Sequence, residues 1–189
     1  MLQLPRENFL RPWALVRFFG TTIVGVLLDL WSKRAAFDHL SLWMDGRFNG
    51  SRASVQFIPG WLHFEVTTNR GAVFGLGQGR HMLFLAVSAG AIVFLTYLFA
   101  NSRRQRVYEL VLGMLLAGVL GNMYDRIMFG YVRDMIHALP QWPTLFPWIF
   151  NVADVLLCTG VGLLVVMSLF SPKEDGRGFD VISPAQAKR

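Results

Sequence analysis

Carboxylates and amides interrupt segments that are otherwise apolar enough to cross a membrane. The stretch FNVAD places Asn151 and Asp154 three residues apart, at the start of a long uncharged run. The stretch GNMYDR repeats this spacing with Asn122 and Asp125, and Arg126 follows. A charged residue near the centre of a membrane helix costs about 2.5–3.5 kcal/mol, so it usually has a function. Asparagine amides donate to carboxylates and to peptide groups, which suits a site that holds an extended polypeptide.

Four segments of the chain could carry these residues through a membrane. Of the 189 residues, 53% are hydrophobic and 16% are charged, whereas a soluble domain has about 25% charged residues. A membrane helix needs about 20 mostly apolar residues. Such runs, some with polar interruptions, cover residues 13–36, 82–100, 107–124 and 149–170. We therefore predict an all-α membrane protein with four transmembrane helices.

The distribution of basic residues predicts the orientation of these helices. Arginines precede the first segment, RRQR (103–106) follows the second, and lysines and arginines follow the fourth. Cytoplasmic loops carry an excess of Lys and Arg, so we expect both termini in the cytoplasm. The first outer loop also contains arginines, which makes the asymmetry imperfect. Residues 1–170 are predicted to form one membrane domain, and the polar segment 171–189 a disordered cytoplasmic tail.

The helical rise places the polar residues of three helices at one depth. At 1.5 Å per residue, Asp29 lies about 24 Å along the first helix, and Asn122 and Asp125 about 22–27 Å along the third. The fourth helix runs in the opposite direction, so Asp154 lies only about 7 Å from the outer surface. We predict one polar site in the outer third of the membrane. The alternative is an ion-pair lattice that only holds the helices together, formed by Asp29, Lys33, Asp125 and Arg126.

The two outer loops add residues to this predicted site. LHFEVT (62–67) alternates apolar and polar residues, a pattern that predicts a strand and a small β-sheet on the membrane surface in the first outer loop. Asn69 and Gly71 follow directly in TNRG. In the second outer loop, GYVRDMIHAL returns Asp134 to the membrane. We therefore expect both loops to contribute to the site.

Five motifs in order resemble those of lipoprotein signal peptidase, also called signal peptidase II. They are DLWSK (29–33), TNRGAVFG (68–75), GNMYDR (121–126), YVRDMI (131–136) and FNVAD (150–154). The family commonly has two apolar residues before the aspartate of the fourth of these motifs and Phe after it, where this chain has Val132, Arg133 and Met135. Neither this departure nor the variant NRGAVF removes a polar group that the chemistry needs.

The resemblance implies an aspartyl endopeptidase of the bacterial inner membrane, with its active site near the periplasmic face. Its substrate would be a diacylglyceryl-modified prolipoprotein, cleaved before the lipidated Cys. The resemblance implies Asp134 and Asp154 as the catalytic pair. It also implies a group of substrate-binding residues, which are Asn69, Gly71, Asn122, Arg126 and Asn151. A further group of supporting polar residues consists of Asp29, Lys33 and Asp125. We expect a monomer that contacts membrane lipid and needs neither a cofactor, a metal nor nucleic acid.

The chemistry of two neighbouring carboxyls agrees with this role, and three alternatives are open. Carboxyls about 3 Å apart share one proton, so that one accepts a proton from attacking water and the other protonates the leaving amine.

A proton-coupled transporter would also carry intramembrane acids, but the inner parts of the spans offer few polar residues. A zinc site on Asp134 and His137 lacks a third ligand nearby in sequence. An inactive relative would not need both aspartates.

Overall fold

Four long helices and one small sheet make up the described part of the chain. The computed structural model describes residues 11–44, 54–71, 81–102 and 105–170. The helices are α1 (Pro12–Met44), α2 (His81–Asn101), α3 (Arg106–Phe129) and α4 (Val152–Phe170). The strands are β1 (Ser54–Ile58), β2 (Leu62–Asn69), β3 (Val132–Ala138) and β4 (Ile149–Phe150). The tail 171–189, residues 103–104 of RRQR and residues 72–75 of TNRGAVFG lie outside the described residues.

All four helices are long and apolar enough to cross a membrane, which confirms the predicted spans. Large apolar side chains such as Ile23, Val93 and Leu169 are exposed on their outer faces, as expected for residues that contact lipid. The boundaries differ from the prediction at three places, one of which is the end of α3 at Phe129 rather than at residue 124. Helix α1 continues to Met44, and α4 begins at Val152 because residues 149–150 form strand β4 instead.

Helix α3 is the central helix, and glycines let its neighbours approach closely. A Cβ atom on Gly113 would lie 2.6 Å from the Phe18 carbonyl oxygen of α1. A Cβ atom on Gly118 would lie 2.6 Å from the Ala153 carbonyl oxygen of α4. Membrane helices pack through such small residues because lipid offers no hydrophobic driving force for their association. The glycines of α3 therefore bring α1 and α4, which carry the polar residues, against it.

A polar cluster near the start of α3 explains the acidic residue that interrupts its apolar run. Glu109 is fully buried, and its carboxylate lies 2.5 Å from Nε of Arg17 and 3.8 Å from Nη2 of Arg11. Above this cluster, Phe18 of α1 stacks on Phe99 of α2 with ring centroids 4.1 Å apart. The cluster and the ring pair fasten α1 to the other helices at the end away from the sheet.

The sheet is antiparallel with the order β1-β2-β3-β4, and it joins the two interhelical segments. The predicted strand at residues 62–67 is confirmed as β2. The prediction of a sheet within the first outer loop was incomplete, because β3 and β4 come from the segment between α3 and α4. Thr67 of β2 pairs with Asp134 of β3, and Asn69 pairs with Val132. The pairing of β2 with β3 thus sets Asp134 beside the end of β2.

The end of α3 directs the chain into this sheet. Gly130 follows the helix in the left-handed conformation, with φ of 78°, and its N–H donates to the Arg126 carbonyl at 3.0 Å. Glycine adopts this conformation without the strain that a Cβ atom would cause. Strand β3 begins two residues later, at Val132. The short turn therefore places Asp134 close to the last turns of α3.

Candidate active site

Asp154 lies in the first turn of α4, where it takes part in a reciprocal cap. The Asn151 Oδ1 accepts the Asp154 N–H at 3.0 Å, and the Asp154 carboxylate accepts the Asn151 N–H at 3.3 Å. This is the arrangement of a capping box, in which two free N–H groups of a helix start are satisfied together. The helix dipole also favours a negative charge at this position. Local helix chemistry therefore stabilises a carboxylate inside an apolar segment.

Asn151 connects Asp154 with Asp134 of β3. The Asn151 Nδ2 donates to the Asp134 Oδ1 at 2.6 Å, while the Asn151 backbone N–H donates to Asp154. Asn69, at the end of β2, also hydrogen-bonds to the Asp134 side chain. Asp134 is almost completely buried, and Asp154 is partly exposed. Two carboxyls from distant parts of the chain thus share one asparagine, with Asp154 open to solvent.

Asn122 of α3 completes the frame around the two carboxyls. Its Nδ2 donates to the Asp154 Oδ1 at 2.8 Å. Its Oδ1 accepts from the Asn151 Nδ2 at 3.2 Å and from the Lys33 Nζ at 3.1 Å. Both ends of the Asn122 amide are therefore occupied, and its orientation is defined by its partners. Asn122 and Asn151 hold the carboxyl pair from two sides.

A buried ion pair network lies beneath these amides. Lys33 is fully buried, and its Nζ lies 2.7 Å from the Asp29 carboxylate and 3.3 Å from the Asp125 carboxylate. Asp29 also accepts the Ala153 N–H of α4 at 2.8 Å. Truncating one partner of such a buried pair leaves an uncompensated charge, typically at a cost of about 3–5 kcal/mol. The network fastens α1 and α3 to the start of α4, the segment that carries Asp154.

Arg126 and the end of β2 form the edge of the site. The Arg126 Nη2 donates to the Gly71 carbonyl at 2.9 Å, and its guanidinium lies 4.9 Å from the Phe84 ring centroid of α2. Asn69 accepts the Gly71 N–H through its side-chain oxygen at 2.9 Å. The Arg126 guanidinium thus turns toward Gly71, just past the end of β2. Arg126 thereby connects three separate segments beside the carboxyl pair.

Arg133 is a residue of the site that could not be recognised from the motifs, where it stands only as a departure from the family pattern. The Arg133 backbone N–H, Nε and Nη2 donate to the Asp125 carboxylate at 2.9, 3.2 and 2.8 Å. The guanidinium also lies 4.5 Å from the Phe129 ring centroid and 5.9 Å from that of Phe37. A basic residue shortly after the helix that carries Asp125 was the available signal. Asp125 therefore pairs with Arg133 and Lys33, and the lattice expected from the sequence includes Arg133 in place of Arg126.

The surroundings of Asp134 favour its protonated form. Burial, and next the negative charge of Asp154, raise the pKa of Asp134 to about 7. Hydrogen bonds from Asn151 and Asn69 act in the opposite direction but do not cancel these effects. A carboxyl that keeps its proton near neutral pH can act as an acid, and its ionised neighbour can act as a base. A carboxyl that favours its protonated form therefore stands near a second carboxyl, as acid–base hydrolysis requires.

The alternative zinc site at Asp134 and His137 finds no support in the side-chain arrangement. The His137 Nδ1 lies 2.9 Å from the Glu65 carboxylate, on the part of the sheet away from Asp134. No three His, Cys, Asp or Glu side chains within the described ranges stand close enough to hold a metal ion together. A protein zinc site needs three or four ligands. Hydrolysis by the carboxyl pair itself is the chemistry that these residues support.

Comparisons with known proteins agree with the motifs. A family model described as signal peptidase (SPase) II matches residues 21–170. The chain is 37% identical over 167 residues to a lipoprotein signal peptidase of Rhodopirellula baltica, covering 80% of this chain and 70% of that protein. It is 32% identical to one of Clostridium tetani, covering 82% and 91%. A solved bacterial membrane enzyme superposes with a TM-score of 0.66 at 26% identity, covering 84% and 92%.

Proposed function

This chain belongs to the signal peptidase II family, and we propose that it hydrolyses its substrate with the carboxyls of Asp134 and Asp154. It is a membrane peptidase, and its function is to remove the signal peptide from prolipoproteins. The observation that carries the proposed assignment is the bridge through Asn151, which hydrogen-bonds to both carboxyls. It places two acids at one point where α4 meets the sheet.

The proposed mechanism uses one proton shared by the two carboxyls. The ionised carboxyl accepts a proton from water as the water attacks the scissile carbonyl carbon, and the protonated carboxyl donates one to the leaving amine. No covalent intermediate forms, since water attacks directly. Asn122, Asn151 and Lys33 hold the carboxyls in place. Because the pair titrates as a unit, acid and base roles belong to the pair and not to either residue alone.

We assign different tasks to the polar residues around the pair. Asn151 is fully buried and Asn122 nearly so, and their amides already bind carboxyls. These two asparagines therefore position the catalytic groups. Asn69, Gly71 and Arg126 form the edge of the site, where peptide groups of an extended substrate can hydrogen-bond. Asp29, Lys33 and Asp125 support the frame from below.

The proposed orientation in the membrane rests on the positions of the basic residues and of the sheet along the helices. Arg11, Arg17 and Arg106 are near the starts of α1 and α3, and the sheet and the carboxyl pair lie at the opposite end. The positive-inside rule then supports cytoplasmic termini and a site near the periplasmic face of the bacterial inner membrane. We propose that residues 1–170 act as one monomeric domain in this orientation, with 171–189 as a cytoplasmic tail.

Cleavage should decline as the pH rises above about 7. The pKa of Asp134 is raised to about 7, so below this pH the pair keeps the proton that the leaving amine needs, and above it the pair loses this proton. The measurement is kcat/KM for a lipidated prolipoprotein in detergent over the range from about pH 5 to 9. A value that stays constant from about pH 6 to 9 would contradict a shared proton in the catalytic step.

Cleavage should continue in the presence of a chelator and of serine or cysteine reagents. The proposed mechanism assigns no role to a metal, a serine or Cys158. The test incubates the detergent-purified protein with EDTA, or with a reagent of either class, and follows the appearance of a product that begins with the lipidated Cys. Loss of cleavage in EDTA that zinc restores would return Asp134 and His137 to consideration as metal ligands.

A further inference from the structure

Arg133 of β3 completes the buried network around Lys33 and Asp125. It contributes three donors to Asp125 and stands directly before Asp134 in β3. We propose that Arg133 is a positioning residue, which balances the charge of Asp125 and so keeps Lys33 in place beneath the carboxyl pair. The proposal rests on the proposed function of Asp134 and Asp154 as the catalytic pair.

The charges of the network balance only when Arg133 is counted. The carboxylates of Asp29 and Asp125 face the cations of Lys33 and Arg133, which gives two negative and two positive groups. Asp29, Lys33 and Asp125 are fully buried, and Arg133 has a side-chain exposure of 11%. Without Arg133, the single cation of Lys33 would face two carboxylates. A buried charge without a partner is costly, so Lys33 would move toward Asp125.

Such a movement would reach the carboxyl pair through Asn122. Lys33 donates to the Asn122 Oδ1 at 3.1 Å, and the same amide donates to Asp154 at 2.8 Å. Lys33 also lowers the pKa of Asp134 by its positive charge. A displaced Lys33 and an added net negative charge should therefore both strengthen proton binding by the pair. The other charged side chain that acts on the pair is Arg126 of α3, which interacts electrostatically with both carboxyls and with Asp125.

A second contact connects Arg133 to Asp134 through the backbone. The Arg133 N–H donates to Asp125, which fixes the start of β3 one residue before the proposed catalytic carboxyl. The ring of Phe129 packs against the guanidinium and holds it in this direction. This contact alone would give Arg133 a purely structural role, without an effect on proton binding. The charge-balance proposal and this structural role predict different pH profiles.

The experiment compares four variants with wild-type protein in detergent: Arg133→Gln, Asp125→Asn, the double variant and Arg133→Lys. The control is Arg34→Gln, because Arg34 pairs with Asp38 in an exposed i,i+4 pair on α1. Each protein is first checked for cooperative thermal unfolding. The measurements are kcat, KM and the pH at which cleavage declines on the alkaline side, with a lipidated prolipoprotein as substrate.

Arg133→Gln should lower kcat about tenfold or more and move the alkaline decline to higher pH, because net negative charge near a carboxyl raises its pKa. Asp125→Asn should move the decline to lower pH, since it leaves an excess positive charge. The double variant restores the balance, so its decline should return toward the wild-type pH, with kcat above that of Arg133→Gln. Arg133→Lys should keep the wild-type decline, because the charge is retained.

An unchanged alkaline decline in Arg133→Gln, or a double variant slower than both single variants, would overturn the proposal. If Arg133→Gln does not fold, the shift of Asp125→Asn to lower pH and its reversal in the double variant decide the question. Failure of the proposed function looks different, since Asp134→Asn would then remain active. If both aspartate variants are inactive while Arg133→Gln matches Arg34→Gln, the catalytic pair stands and the inference about Arg133 falls.

Discussion

Asp134→Asn and Asp154→Asn should each lower kcat for prolipoprotein cleavage by roughly four orders of magnitude or more. Groups that act as one catalytic unit show losses of this size when one member is removed. Each variant leaves a single carboxyl, which cannot both accept a proton from water and donate one to the leaving amine. The double variant should be no slower than either single variant, because the relay is already broken. The measurement is turnover of a lipidated prolipoprotein in detergent.

These losses should occur without loss of the fold. Asparagine has nearly the shape of aspartate, and the amide partners of Asp134 remain in place. The pKa of Asp134 is raised to about 7 in the folded protein, above that of an exposed carboxyl. The stability that this protonated group contributes is therefore lost as the pH rises through about 7. At about pH 8, Asp134→Asn should thus unfold at the same temperature as wild type or a higher one.

The matched control is Asp38→Asn, which changes an exposed carboxylate in the C-terminal part of α1. It should cleave at the wild-type rate, because Asp38 is exposed and pairs with the exposed Arg34 rather than with Lys33. Activity near the wild-type value in either Asp134→Asn or Asp154→Asn would remove that residue from the mechanism. Two inactive variants that also fail to unfold cooperatively would instead point to a structural role for the carboxyls.

Helical periodicity and the rise per residue were sufficient to predict that polar residues of three helices meet at one depth. Asn122 and Asp125 lie within α3, whereas Asn151 directly precedes α4 and Asp154 lies in its first turn. Each pair therefore has the helical spacing that the sequence indicated. Rise per residue is nearly constant in a helix, so depth can be read from position in the sequence. The glycines that let α3 approach α1 and α4 also follow from the rules for membrane helices.

The second half of the sheet could not be predicted in the same way. In β3, Met135 and Ile136 are adjacent apolar residues, so the alternation that revealed β2 is missing. The partner of β3 is β2, which lies far away in the sequence, and the register shifts between Phe64 and Thr67. Pairing across such a distance is determined by where α3 ends and turns at Gly130. A local pattern does not contain this information.

The network around Arg133 was missed for a related reason. Helical spacing suggested that Asp125 and Arg126 act together, because they are neighbours on one helix. In the structure the chain reverses after Gly130, and this brings the side chain of Arg133 back to Asp125. Neighbours on a helix point about 100° apart, so Arg126 is free to reach Gly71 on another segment. A turn outside the helix therefore decided which arginine pairs with the aspartate.

The position of Asp154 suggests why a peptidase would place its carboxyl at a membrane helix. Asp154 lies in the first turn of α4, next to apolar residues that include the exposed Val155. A substrate whose cleavage site is tied to a lipid would present its scissile bond at this level. Each acyl CH₂ placed in the bilayer contributes about 0.8 kcal/mol, so two acyl chains localise a peptide firmly. Partitioning of the acyl chains into the bilayer would then supply much of the free energy of substrate binding.

We therefore expect removal of the diacylglyceryl group to lower kcat/KM by about a hundredfold or more, mostly through KM. The lipid lies away from the reacting bond, so its loss should weaken substrate binding more than the catalytic step. The test compares one precursor peptide with and without its thioether-linked lipid, at equal concentration in the same micelles. A control peptide with a changed side chain near the cleavage site should lose far less, because Asn69, Gly71 and Arg126 offer contacts to peptide groups. Equal rates for the lipidated and unlipidated peptides would reject lipid positioning, while leaving the roles of Asp134 and Asp154 to be judged by their own variants.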